Sequence, residues 1–80
     1  MPDRNPIFIT PNPADQSATV QRPSQKSGPE KGAVYDIFGR LILEFTATGK
    51  TRISTADFAN GVYILRMGNA SALLVIIHRQ

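Results

Sequence analysis

At eighty residues and without cysteine, the chain has room for one core and no disulfide staples; folding at this size hides only about 60 to 65% of the unfolded chain's surface, so the core must be efficient. Hydrophobic residues make up 41% and charged residues 19%, which excludes a disordered acidic or basic tail. The net charge of +3 arises from basic residues scattered between Arg4 and Arg79, with no stacking aromatics interleaved, so no nucleic-acid partner is expected.

Residues 1–6, Met-Pro-Asp-Arg-Asn-Pro, read as a linker or an expression remnant, and the domain as residues 7–80. Ile7 to Thr10 is a short strand closed by Pro11, Asn12 and Pro13, since proline gives up a ladder hydrogen bond and restrains its predecessor. Ser17 to Arg22 is a second strand, and Pro23 to Lys31 is a loop by composition. Ala33 to Ile37 and Arg40 to Thr46 form a hairpin around Phe38 and Gly39. There Asp36 is placed to accept hydrogen bonds from the turn amides. Leu41, Leu43 and Phe45 share one face, which is expected to meet the core.

Thr48 and Gly49 turn the chain into a polar strand, Lys50 to Thr55, expected at an edge because Ile53 is its single large apolar residue. Thr55 to Tyr63 begins with a cap-like threonine and holds one tight helical turn before Gly61 redirects the chain. Tyr63 has the spacing from Phe58 and Gly61 of a corner tyrosine, whose hydroxyl bonds back to a backbone group a few residues upstream. Val62 to Met67 is a central strand, Gly68 and Asn69 a turn, and Ser71 to His78 the last strand. The fold class is therefore all-β, an immunoglobulin-like β-sandwich of about seven antiparallel strands, with a small barrel as the other arrangement of that strand count.

Catalytic equipment is not visible. The single histidine, His78, is expected at a solvated strand end, the acids show no paired spacing, and the glycines lack the helix and lysine of a phosphate loop. No cofactor and no metal site is expected. The longest apolar run, Ala72 to Ile77, falls well short of the roughly 20 residues that span a bilayer. Being apolar on both faces, that strand is expected to lie between neighbours on both sides; the alternative is a strand kept free for another protein to grip, or for a dimer.

Four motifs occur in order: Pro11-Asn12-Pro13-Ala14, Tyr35-Asp36-Ile37-Phe38-Gly39-Arg40, Phe58-Ala59-Asn60-Gly61-Val62-Tyr63-Ile64, and a closing apolar strand with a basic end. Together they resemble the C-terminal sorting domain of type IX secretion substrates over about residues 7 to 80. The loop from Pro23 to Lys31 is richer in proline and charge than that pattern, and His78-Arg79-Gln80 replaces a lysine-rich finish.

The resemblance implies an immunoglobulin-like domain at the end of a larger cargo protein of a Gram-negative bacterium. Such a cargo passes through the periplasm and is carried to the cell surface or the medium. Its partners would be the type IX translocon and sortase-like components, and the domain would not be an enzyme. Family-motif residues are Pro11, Asn12, Pro13, Tyr35, Asp36, Gly39, Arg40, Gly61 and Tyr63. The glycines and the tyrosine have a shaping role, which leaves Arg40 and the terminal strand and tail (Leu73, Leu74, Val75, Ile76, Ile77 and Arg79) as candidates for direct recognition. An adhesive or carbohydrate-binding module is the alternative function, although the chain has no tryptophan and only two tyrosines. A scaffold module like those of flagellar hook caps is a third.

Overall fold

Apolar residues at alternate positions give each strand one face to bury, and two sheets bury those faces against each other. A computed structural model describes residues 7–21, 29–47, 49–68 and 70–78. They form β1 (Phe8–Thr10), β2 (Ser17–Gln21), β3 (Glu30–Tyr35), β4 (Leu41–Ala47), β5 (Lys50–Ser54), β6 (Gly61–Met67) and β7 (Ala70–Ile76). All strand pairs are antiparallel, in a three-stranded sheet ordered β1-β2-β5 and a four-stranded sheet ordered β4-β3-β6-β7. These groupings are those of an immunoglobulin-like sandwich with the fourth strand beside the third.

The smaller sheet contributes Ile9, Ala18, Val20 and Ile53 to the core, and the larger contributes Val34, Leu65, Met67, Leu74 and Ile76. The polar strand β5 lies at an edge, as its composition implied. Residues 1–6, most of the Pro23 to Lys31 loop, Thr48, Asn69 and Arg79 lie outside the described residues.

The structure corrects three expectations about the strands. β3 begins at Glu30, within the stretch read as loop, because Glu30 and Lys31 pair with Ala47 and Thr46. Leu41 does not meet the core; it is 52% exposed. Between Val34 and Tyr35 the register of β3 against β4 slips by one, so Val34 faces Leu43 while Tyr35 faces Leu41, and Ile42 is the extra residue. Such a bulge switches the face on which the next side chain lies. Only Leu43 and Phe45 of that trio pack against the core.

The third correction concerns the terminal strand, which is not enclosed on both faces. β7 is an edge strand: Leu74 and Ile76 are fully buried, while Leu73 is 60% and Ile77 50% exposed.

Gly32 is required by a close approach rather than by a turn. It sits opposite Phe45, whose ring occupies the space that a Cβ at position 32 would need. Gly32→Ala is expected to cost about 1–3 kcal/mol through overpacking, or roughly 4–8 °C in Tm per kcal/mol for a domain this small. The cost should shrink in a Phe45→Leu background, and thermal melts of the single and double variants measure that coupling.

Candidate functional site

The turn between β3 and β4 is built around one carboxylate. Asp36 Oδ1 accepts hydrogen bonds from the amides of Phe38 and Arg40, both at 2.9 Å, and Oδ2 pairs with Arg40 Nε at 2.9 Å. The Asp36 amide donates to Arg40 O and the Gly39 amide to Asp36 O. Gly39 has a φ of 85°, in the left-handed region where a side chain is strained. The Arg40 amide, with further help from its guanidinium and the Phe38 amide, holds the Asp36 carboxyl below its ordinary value against an opposing desolvation. What this rigid turn displays is apolar and cationic: Ile37 is 67% and Phe38 76% exposed, and the Arg40 guanidinium lies 5.5 Å from the Phe38 ring centre.

The corner before β6 follows the tyrosine logic. Tyr63 is buried and its hydroxyl donates to Ala59 O at 2.6 Å, with the Phe58 ring tilted against it at 5.1 Å. Gly61, at a φ of 152°, starts the strand. Thr55 caps no helix, because its fully buried hydroxyl donates to Asp15 O instead, and residues 55–60 form turns and bends.

The first and last motifs meet. Asn12 Nδ2 donates to Leu73 O and Asn12 Oδ1 accepts from the Val75 amide, so the side-chain amide stands in for one peptide unit of a neighbouring strand. Ala14 continues the cover: its amide donates to Val75 O and its carbonyl accepts from the Ile77 amide, forming a short parallel bridge to Ile76. Pro13 lies between, and Pro11 and Pro13 both follow cis peptide bonds. The outward backbone groups of the strand's C-terminal half, from the Leu73 carbonyl to the Ile77 amide, are thus bonded by the chain's own residues 12–14.

His78 is not a solvated strand end. Its Nδ1 lies 2.8 Å from Asp15 Oδ1 and its Nε2 lies 2.6 Å from Phe58 O, while its amide donates to Asn60 Oδ1. Both ring partners are acceptors, so both nitrogens must carry protons and the imidazolium fits best. The Asp15 hydrogen bond first, then the Phe58 carbonyl, raises the His78 pKa from its ordinary 6.5.

The motif residues therefore fall into three groups, of which Gly61 and Tyr63 form the corner before β6. Asp36, Gly39 and Arg40 build the displayed turn, at the end of β3 where Tyr35 lies half-buried. Pro11, Asn12 and Pro13 lie with Leu73, Val75 and Ile77 along the edge of β7, while Leu74 and Ile76 belong to the core. Asp15, Thr55, Asn60 and His78 carry no shared signal in the sequence, because only the sandwich closure joins them. Among the described residues no His, Asp and Glu cluster could hold a metal ion, and no helix is long and apolar enough to cross a membrane.

The described residues thus form a two-sheet β-sandwich with a displayed turn after β3 and a β7 edge bonded in part by residues 12–14. The model of the secretion system C-terminal sorting domain matches residues 8–77, and the chain belongs to that family, the sorting signals of the type IX secretion system. Membership implies interaction with that system and export across the outer membrane to the cell surface or extracellular space. No curated protein matches. Among solved structures, a single-mutant thermostable endoglucanase from Alicyclobacillus acidocaldarius is similar with a TM-score of 0.65 at 17% identity. The match covers 94% of this chain and 15% of that one, so this chain spans a small part of the enzyme and the likeness is one of fold alone.

Two expected outcomes test these contacts. Asn12→Ala removes both bonds to the β7 edge and should cost about 1–3 kcal/mol in urea unfolding, with concentration-dependent association as the edge opens. For His78, the folded state holds the proton more tightly than the unfolded chain does. Its contribution is therefore complete below pH 6.5 and is lost as pH rises through the raised folded value. Melts across that range should show Tm falling with pH in the wild type and a flattened slope in His78→Gln.

Proposed function

We propose that this domain is the outer-membrane address of a larger cargo protein, read in its folded form after the cargo has reached the periplasm. On this reading the domain accompanies the cargo through the translocon, a sortase-like cysteine protease then removes it, and the cargo is joined to anionic lipopolysaccharide at the surface. The domain itself performs no chemistry. The observation that carries the reading is the family match across residues 8–77, nearly the whole chain.

The displayed turn supports it. A receptor gains most from side chains already fixed in place, since less conformational entropy is lost on binding. Ile37, Phe38 and Arg40 are presented in that way by the Asp36 bonds. Arg40 thereby stays a candidate for direct recognition. The outward side chains Leu73 and Ile77 stay candidates as a surface rather than as a backbone edge.

The test is a fusion of the whole chain to a stable periplasmic reporter in a type IX-competent bacterium. The reporter should reach the surface or the medium, and retention in the periplasm of a folded, intact fusion would overturn the reading.

A further inference from the structure

The larger sheet has two edges, β7 and β4, and the chain treats them differently. Residues 12–14 cover the C-terminal half of the first, from the Leu73 carbonyl to the Ile77 amide. Among the described residues β3 is the only strand paired with β4, and none pairs with its far edge. β4 is seven residues long and reads Leu-Ile-Leu-Glu-Phe-Thr-Ala, with Glu44 as its one charge. A long, apolar, nearly uncharged edge is what proteins ordinarily blunt unless another strand is to pair with it.

Alternation of hydrogen bonds shows which groups of β4 are available. In an antiparallel sheet the amide and carbonyl of one residue point to the same edge, and those of the next residue to the other. On β7, Leu73, Val75 and Ile77 point outward, toward Asn12 and Ala14. Following the registers Leu74↔Tyr63, Ile64↔Tyr35 and Val34↔Leu43 across the sheet, Leu43, Phe45 and Ala47 bond toward β3. Glu44 and Thr46 are left pointing outward.

A hollow of about 610 Å³ lies at the Ile42 end of β4, between the β3–β4 turn and the corner before β6, lined in part by Asp36, Arg40, Ile42, Leu43, Phe58 and Tyr63. We propose that the β4 edge takes an extended strand from a partner protein, paired by backbone bonds to Glu44 and Thr46. Alternate apolar side chains of that strand enter the hollow beside Leu43, and a lysine or arginine lies opposite Glu44. Main-chain bonds supply affinity and the hollow supplies side-chain selectivity, as in other strand additions. A second copy of β4 is a poor occupant, because full-length antiparallel self-pairing sets Glu44 against Glu44.

This deepens the sorting reading and rests on it, with a component of the export machinery as the source of the strand. Thr46→Pro withdraws an outward donor without breaking a bond to β3, a position that edge strands tolerate. In the reporter fusion, secretion should fall about tenfold, the order expected for one lost backbone bond, with Tm little changed. Glu44→Lys, which keeps every backbone group, should also reduce secretion.

Failure of the wild-type fusion to leave the periplasm overturns the sorting reading and this one with it. Secretion of a folded Thr46→Pro fusion at the wild-type level overturns the strand addition alone. If Thr46→Pro does not fold, Glu44→Lys decides, and wild-type secretion of that variant overturns the proposal. Sedimentation of the free chain as a dimer that Thr46→Pro dissolves would assign the edge to a second copy and overturn the partner.

Discussion

The rest of the sandwich depends on how residues 12–16 strap its open side. A two-sheet sandwich of this size has four strand edges and too little core to leave a long apolar one exposed without consequence. Asn12 and Ala14 occupy the outward backbone groups from Leu73 to Ile77, the Asp15 carbonyl takes the buried Thr55 hydroxyl, and the Asp15 carboxylate takes His78. One short segment thereby joins the last strand, the corner before β6 and the chain's final described residue. Each bond is modest by itself. Their value lies in spanning both sheets, so the strap holds only when the sandwich is closed.

That closure bears on function. A domain read in its folded form needs a surface that exists only when folding is complete, and both candidate surfaces meet that condition. The turn at Ile37, Phe38 and Arg40 is held by Asp36, while the hollow at the Ile42 end of β4 forms only where that turn meets the corner before β6. The contrast between the edges is equally informative. Covering the C-terminal half of β7 removes that stretch from competition as a pairing template, which directs strand addition to β4. The apolar side chains that remain outward on β7, Leu73 and Ile77, are a surface of a different kind, able to contact a partner without extending the sheet.

Much of the fold was legible because its causes are local. Alternation placed six of the strands to within a few residues, Gly39 and Asp36 marked the hairpin turn, and the spacing from Phe58 to Tyr63 indicated the corner whose hydroxyl bond reaches Ala59. The four ordered motifs were sufficient to name the family. Errors came where a local pattern was overruled from a distance. Leu41 has the parity of a core residue, yet a bulge opposite Val34 turns it outward, and no residue type announces a bulge. Glu30 and Lys31 look like loop residues, but β4 supplies partners for them.

The sequence by itself determined the strand pattern, the turn chemistry and the family, because periodicity, glycine and the capping carboxylate act within a few residues of one another. Only the tertiary structure decided which edge is covered. Asn12 and Val75 are 63 residues apart, as are Asp15 and His78. Nothing in the type of either partner requires the other until two sheets have packed. The apolar strand from Ala72 to Ile77 could be read from the sequence as enclosed or as available, and it is neither: one face is buried and the other exposed, and its outward backbone from Leu73 to Ile77 is bonded because residues 12–14 fold back to pair with it.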